Sequence, residues 1–127
     1  MEDASEMTVL VVDDEPSNID LIKGILPGGF KVKAATRGAV ALKIAQKAPP
    51  PDIILLDVMM PEMDGYEVCR QIKANPDTTG IQIVFISGHV DEAEKQKALG
   101  LGAVGFLSKP VSPDELHALL KQLTSSI

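Results

Sequence analysis

The chain has 127 residues, of which 45% are hydrophobic and only 3% aromatic, and its formal net charge is −6 at pH 7. This length and composition fit one domain with an aliphatic core, while the acidic balance argues against a protein that binds nucleic-acid phosphates. With one cysteine, no apolar stretch near the roughly 20 residues of a membrane span and no signal peptide, we expect a single cytoplasmic domain over residues 1–127, with a core at about 8–123.

Strands and helices are predicted to alternate along the whole chain, five of each. β-branched and aliphatic runs predict the strands, and apolar residues at a spacing of three or four predict the helices. In chain order we predict a strand at 8–12, a helix at 16–26, a strand at 30–35, a helix at 37–47, a strand at 53–56, a helix at 65–74, a strand at 81–86, a helix at 92–99, a strand at 103–107 and a helix at 113–123.

Capping residues mark the starts of most of these helices. Thr36 is a plausible N-cap for the second helix, with Val40 and Ile44 facing inward. Capping-box spacing recurs before the last three helices, at Asp64 with Glu67, Asp91 with Glu94 and Ser112 with Glu115. The fourth helix has a thin apolar stripe around Ala93, Ala98 and Leu99, which fits a weakly held, mobile helix and fits a plain solvated helix as well.

Polar residues follow the ends of four predicted strands. The apolar run 53–56 leads directly into Asp57, and such a run is typical of a strand buried on both faces of a parallel sheet. Strict alternation of strands and helices also predicts a parallel sheet, in which every strand ends at the same edge. We therefore expect one edge to collect Asp13, Asp14, Asp57, Ser87 and Lys109.

Three carboxylates at one edge repel each other, and Lys109 offsets only one of the three charges. A divalent cation such as Mg²⁺ would neutralise the remainder, since it prefers oxygen ligands and binds through carboxylates and phosphate oxygens. A carboxylate beside Mg²⁺, a hydroxyl and a lysine is suited to phosphoryl transfer, with the carboxylate as nucleophile. Taken singly, Asp13 and Asp14 fit a helix cap equally well, and Lys109 fits a solvated turn.

The sequence resembles the receiver domain of two-component response regulators over roughly residues 9–123. The resemblance is carried by the motifs Val11-Val12-Asp13-Asp14-Glu15-Pro16, Leu55-Leu56-Asp57-Val58-Met59-Met60-Pro61 with Met63-Asp64-Gly65, Ile86-Ser87-Gly88, and Gly102-Ala103 with Phe106-Leu107-Ser108-Lys109-Pro110. It implies a flavodoxin-like α/β fold: a doubly wound, five-stranded parallel sheet of order 2-1-3-4-5 with five helices.

The resemblance also implies a chemistry for the acidic edge. Asp57 would accept a phosphoryl group from a phosphohistidine of a sensor histidine kinase or phosphotransfer protein. Asp14, Asp57 and the backbone carbonyl of Met59 would hold Mg²⁺, with Asp13 acting through a metal-bound water. Lys109 would pair with Asp57 and then with the phosphoryl group.

A conformational switch is the second implication of the resemblance. Ser87 matches the switch hydroxyl and Phe106 the switch aromatic, and the bond from Lys109 to Pro110 is expected to be cis. The surface that changes would be formed by the fourth helix, the fifth strand and the fifth helix. It would be read by an unknown downstream protein or an attached output domain, with no direct binding of nucleic acid or membrane.

Met59 and His89 stand at positions where the family varies. A Met side chain cannot position an attacking water by hydrogen bonding, so we predict slow hydrolysis of the phosphorylated form; His89 is a possible modulator of that rate. His117 is expected on a helix surface, and Tyr66 is expected only to pack.

Two other functions are compatible with parts of the pattern. A receiver can act as a phosphorylation-independent docking or dimerisation module, although no acid and no lysine of the motif is missing here. Haloacid-dehalogenase-like phosphatases also use a nucleophilic Asp with Mg²⁺, but they need a second Asp where Met59 stands. We therefore expect a switch that catalyses only its own phosphoryl uptake and loss.

Overall fold

A computed structural model describes residues 7–89 and 91–124. Within these residues, strands and helices alternate as the sequence predicts. The elements are β1 (Met7–Val12), α1 (Pro16–Ile25), β2 (Phe30–Ala35), α2 (Gly38–Gln46), β3 (Ile53–Asp57), α3 (Gly65–Ala74), β4 (Gln82–Ser87), α4 (Glu92–Gly100), β5 (Gly105–Ser108) and α5 (Pro113–Thr124).

The five strands form one parallel sheet of order β2-β1-β3-β4-β5, which confirms the predicted doubly wound topology. The register aligns the carboxyl ends of the central strands, because Val12 pairs with Leu56 on one side of β3 and Asp57 pairs with Ile86 on the other. Ser87 in turn pairs with Ser108, which directly precedes Lys109. The edge that carries the predicted polar residues is thus continuous across four strands.

Each face of the sheet is covered by helices. Alternate residues of the central strands point to opposite faces, as the period of a strand requires. One core joins residues such as Leu10, Leu56 and Phe85 with apolar residues of α2 and α3. The other joins Val9 and Val11 with apolar residues of α1 and α5. No helix in the described parts of the chain has the length and apolar character needed to cross a bilayer.

In each of the three predicted capping boxes, the side chain of the N-cap residue accepts the expected hydrogen bond from the amide three residues later. Asp64 accepts a hydrogen bond from the amide of Glu67 at 2.9 Å, and Asp91 accepts one from the amide of Glu94 at 2.9 Å. Ser112 accepts the corresponding bond at 3.3 Å. These caps fix the first turns of α3, α4 and α5, all of which follow directly from the loops around the acidic edge.

The prediction for the start of α2 was wrong. The N-cap position is Arg37, without a side-chain cap, and Val40 lies on the exposed side. The buried residues of α2 are mostly small, and a Cβ atom at Gly38 would lie 2.8 Å from Cγ2 of Val68 on α3. Close packing of small residues against α3 therefore sets the rotation of α2, and it turns Val40 outward.

Candidate functional site

Two carboxylates and a lysine meet at the carboxyl edge of the sheet. The Lys109 ammonium lies 3.2 Å from Oδ2 of Asp13 and 3.2 Å from Oδ1 of Asp57. Asp13 and Asp57 are only 1% and 2% exposed. The buried pair of acids is thus bridged by a single, partly accessible cation.

Asp14 completes a cluster of three acids. Unlike its neighbour Asp13, it is exposed, and it lies in the bend that follows β1. One carboxylate oxygen from each of Asp13, Asp14 and Asp57 lies within 4.8 Å of the others. The sequence prediction that these residues converge with Lys109 is therefore confirmed by the geometry.

The burial of Asp57 perturbs its ionisation. Desolvation, followed by the negative charge of Asp13, raises the pKa of Asp57 to about 6, against the opposing effect of Lys109. For Lys109, burial alone would lower the pKa, but the charges of Asp57 and Asp13 outweigh burial and raise it. One lysine is therefore not enough to compensate the acids, and the site retains excess negative charge.

The start of α3 holds the backbone around Asp57. The amide of Gly65 donates to the carbonyl of Val58 at 2.9 Å. A Cβ atom at position 65 would lie 2.2 Å from the carbonyl oxygen of Asp57, so only glycine allows this approach. The Met59 amide reaches Oδ1 of Asp57 at 3.4 Å. These contacts fix the orientation of the Asp57 carboxylate at the strand end.

The carboxylate oxygens differ in how many protein partners they have. Oδ1 of Asp13 accepts the amide of Glu15 at 2.9 Å and the amide group of Asn18 at 3.5 Å, while its Oδ2 faces Lys109. Oδ2 of Asp57 has no protein hydrogen-bond partner within residues 7–89 and 91–124, although Asp57 is buried. A buried carboxylate oxygen without a partner, next to two more acids, fits a site that binds a hard cation such as Mg²⁺ through oxygen ligands.

Ser87 lies on the neighbouring strand but directs its hydroxyl to its own loop. Its Oγ donates to the carbonyl of His89 at 3.1 Å and accepts from the amide of His89 at 3.0 Å. The His89 ring is exposed and lies 3.1 Å from Oδ2 of Asp91. Ser87 thus closes the β4–α4 loop in this arrangement instead of contacting Asp57.

A shallow cavity of about 390 Å³ opens beside this loop, lined by Val58, Met59, Ser87, Gly88, His89 and Glu94. The side chain of Met59 is 72% exposed. Met59 and His89, the two residues singled out as modulators, therefore lie at the mouth of the site.

Phe106 is half-buried on β5, with its ring centroid 6.3 Å from that of Phe85. The peptide bond between Lys109 and Pro110 is cis, as the resemblance implied. His117 is exposed on α5, where its ring nitrogen contacts the carbonyl of Ile25.

Tyr66 does more than the sequence interpretation assigned to it. Its ring packs on Phe85 at a centroid distance of 5.2 Å, as expected for a packing residue. Its hydroxyl also donates to the carboxylate of Glu94 on α4, and the ammonium of Lys97 lies 4.2 Å from the ring centroid. These partners are 28 and more residues away in the chain, so no local pattern could reveal them.

Comparisons with known proteins agree with this fold and site. A family model described as the response regulator receiver domain matches residues 9–121. A probable cyclic di-GMP phosphodiesterase of Vibrio cholerae serotype O1 is 46% identical over 112 residues, which are 88% of this chain and 25% of that protein.

Solved structures give the same result. A putative response regulator from Chloroflexus aurantiacus has a TM-score of 0.87 at 30% identity, covering 94% of this chain and 98% of that one. The receiver domain of a sensor histidine kinase from Pseudomonas aeruginosa PAO1, solved with a magnesium ion coordinated in its active-site cleft, has a TM-score of 0.82 at 27% identity, covering 93% and 97%.

The doubly wound sheet and its acidic edge define a receiver domain of two-component signalling. The chain belongs to the response regulator receiver domain family. Its pocket of Asp13, Asp14 and Asp57 is of the kind that accepts a phosphoryl group and binds Mg²⁺. The chain spans about a quarter of the length of the Vibrio cholerae relative, so the activity named for that protein is not carried over to this chain.

Proposed function

We propose that Asp57 is the phosphoryl acceptor of a signalling switch. The observation that carries this proposal is the buried Asp57 carboxylate, whose Oδ1 is held by Lys109 while Oδ2 has no partner in the described part of the chain. Oδ2 is therefore free to attack a phosphorus atom. The proposed donor is a phosphohistidine of a sensor histidine kinase or phosphotransfer protein.

The transfer requires no other nucleophile. Oδ2 of Asp57 forms a bond to phosphorus while the bond from phosphorus to the histidine nitrogen of the donor breaks, and the imidazole leaves with the bonding electron pair. With a pKa of about 6, the Asp57 carboxylate is mostly ionised at neutral pH and can act as the nucleophile. Lys109, already 3.2 Å from Oδ1, can pair with the phosphoryl oxygens after transfer.

Mg²⁺ would be held by Asp14, Asp57 and the backbone carbonyl of Met59. Asp13 would contribute through a water. The excess negative charge of the three clustered acids supports this set, and the Pseudomonas aeruginosa neighbour was solved with magnesium in its cleft. Bound Mg²⁺ would offset the negative charge of the phosphoryl oxygens. The engaged oxygens of Asp13 fit an indirect role, since both already have protein partners.

Ser87 and Phe106 would convert phosphorylation into a change of shape. The Ser87 hydroxyl would exchange the His89 carbonyl for a phosphoryl oxygen, and Phe106 would then move by packing alone, since it has no hydroxyl to hydrogen-bond. The surface of α4, β5 and α5 would carry the change to a downstream protein or an attached output domain. We place the protein in the cytoplasm, and we expect it to bind neither nucleic acid nor membrane directly.

The test is phosphoryl uptake from acetyl phosphate with Mg²⁺, read by intact mass. We expect one added phosphoryl group in the unmutated protein, and none in Asp57→Asn or in the presence of a chelator. Asp20→Asn is the matched control, because Asp20 is an exposed acid on α1 outside the cluster and should leave uptake unchanged. Uptake by Asp57→Asn would exclude Asp57 as the acceptor. No uptake by the unmutated protein would favour the static docking module, and turnover of small phosphoesters would favour the phosphatase.

Met59 is expected to give the phosphorylated form a long lifetime. The side chain is 72% exposed at the mouth of the site, and its thioether cannot orient a water for attack on the phosphoryl group. We expect Met59→Asn to shorten the lifetime, measured as loss of the added mass after the phosphodonor is removed. A half-life of seconds in the unmutated protein would contradict this role.

A further inference from the structure

Helix α4 is held to the rest of the molecule by few contacts. Of its nine residues, all of them described, only Ala98 is buried, and Leu99 is 54% exposed. Helices in small proteins are stabilised chiefly by burying an apolar face, and α4 has almost none. Its position must therefore depend on a small number of side-chain contacts.

Tyr66 on α3 makes two of these contacts. Its hydroxyl donates to the carboxylate of Glu94, and the ammonium of Lys97 lies 4.2 Å from its ring centroid. The same ring packs against Phe85 of the sheet at 5.2 Å. Tyr66 thus fixes α4 both to α3 and to β4. An aromatic pair of this kind and a cation over a ring each contribute beyond the burial of apolar area.

The residue before Tyr66 contacts the acidic site directly. Gly65 donates its amide to the carbonyl of Val58, and it approaches the carbonyl of Asp57 so closely that a Cβ atom would overlap it. Any shift of the backbone at Asp57 therefore reaches the start of α3, and with it the ring that holds α4.

The β4–α4 loop connects Ser87 to the same contact between Tyr66 and Glu94. The hydroxyl of Ser87 donates to the carbonyl of His89, and the ring of His89 contacts Asp91. Asp91 is the N-cap of α4 and accepts the amide of Glu94 at 2.9 Å. Glu94 is also the acceptor of the Tyr66 hydroxyl. The loop that Ser87 closes therefore leads, through Asp91, to the hydrogen bond between Tyr66 and Glu94.

We propose that Tyr66 is a positioning residue that holds α4 in its phosphoryl-free arrangement, and that phosphorylation releases the hydrogen bond from Tyr66 to Glu94. The release rests on the function proposed for Asp57. A serine hydroxyl has one hydrogen to donate, so Ser87 cannot serve the His89 carbonyl and a phosphoryl oxygen together. When it leaves His89, the loop that orients Asp91 and Glu94 loses a closing bond. A contact that exists in one arrangement only stabilises that arrangement, so its loss shifts the population away from it.

Hydrogen exchange of the α4 amides tests the holding role without any phosphodonor. Tyr66→Phe keeps the ring on Phe85 and removes only the hydroxyl, and Glu94→Ala removes the acceptor. Because one part-buried hydrogen bond is lost, we expect exchange along α4 to become about three- to tenfold faster in each variant. The double variant should add nothing, since both changes remove one interaction.

Glu92→Ala is the matched control, because Glu92 is a carboxylate of the same helix whose only hydrogen-bond partner among the described residues is Gln96 of α4 itself. Its exchange should match that of the unmutated protein. Unchanged exchange in Tyr66→Phe, or an equal increase in Glu92→Ala, would overturn the proposal.

Phosphoryl uptake from acetyl phosphate and Mg²⁺ then tests the release. We expect Tyr66→Phe to take up the phosphoryl group about fivefold faster than the unmutated protein, and the α4 exchange of the two phosphorylated proteins to be equal. A difference in exchange that persists after phosphorylation would refute the release. If the unmutated protein takes up no phosphoryl group, the function proposed for Asp57 fails, whereas the holding role is still decided by exchange in the phosphoryl-free proteins.

Discussion

Asp57 combines two properties that oppose each other in a folded protein. It is buried, and in the proposed transfer it must be ionised to attack phosphorus. Burial and the charge of Asp13 raise its pKa from 3.8 to about 6, which means that ionising Asp57 costs more in the folded chain than in the unfolded one. The same property that prepares the site for a cation therefore makes the metal-free fold less stable at neutral pH.

The raised pKa of Asp57 predicts how Asp57→Asn changes the free energy of unfolding with pH. Because the folded pKa is raised, the folded protein holds the proton more tightly, and the cost of ionisation is absent below the unfolded pKa of 3.8 and complete above about 6. In chelator, Asp57→Asn should exceed the unmutated protein in free energy of unfolding by about 2–3 kcal/mol at pH 7.5. The difference should decline to about 0.5 kcal/mol at pH 4 and vanish below it, measured by urea unfolding. A constant difference across this range would show that Asp57 is not the group that titrates.

The position of Asp57 depends on close contact between secondary-structure elements, and Gly65 at the start of α3 is the clearest example. A Cβ atom there would lie 2.2 Å from the backbone oxygen of Asp57, and a backbone atom cannot turn aside as a flexible side chain can. We expect Gly65→Ala to lower the free energy of unfolding by about 3 kcal/mol and to impair phosphoryl uptake. Gly24 is a matched control within α1, because nothing lies within 4 Å of a Cβ atom there. Gly24→Ala should stabilise the fold by about 0.5–1 kcal/mol.

Urea midpoints of the two alanine variants provide the measurement. Equal effects at the two glycines would mean that backbone freedom, and not the contact with Asp57, decides the result. A stable Gly65→Ala protein with normal uptake would remove α3 from the elements that position the acid.

The elements also separate what sequence could predict from what it could not. The alternation of strands and helices, the convergence at the acidic edge and the caps at Asp64 and Asp91 follow from local patterns and from the rule that parallel strands end together. The strand order follows only from the resemblance to receiver domains. The rotation of α2 depends instead on the approach of Gly38 to α3, because packing of backbones is decided between elements. The bond from Tyr66 to Glu94 is of the same kind: it joins residues 28 apart, and neither residue alone indicates it.

For the whole molecule, we expect the acidic cluster to make stability depend on a bound cation. Three acids and one lysine leave net negative charge at the carboxyl edge, and a ligand that binds only the folded protein stabilises it by mass action. At a Mg²⁺ concentration of 100 times its dissociation constant, we expect the free energy of unfolding to rise by about 2.7 kcal/mol. The gain should disappear in Asp14→Asn, since Asp14 is the exposed acid of the cluster and is open to a cation from solvent.

Asp20→Asn distinguishes a specific site from general screening of the net charge of −6. Both variants remove one acid from the N-terminal part of the chain, so screening by Mg²⁺ should change equally in the two. Retention of the full gain in Asp20→Asn, with its loss in Asp14→Asn, requires binding at the cluster. A gain that survives in both variants, or one that sodium chloride of equal ionic strength reproduces, would place the effect in the overall charge of the molecule. In that case the excess negative charge of the three acids would need another partner than a metal ion.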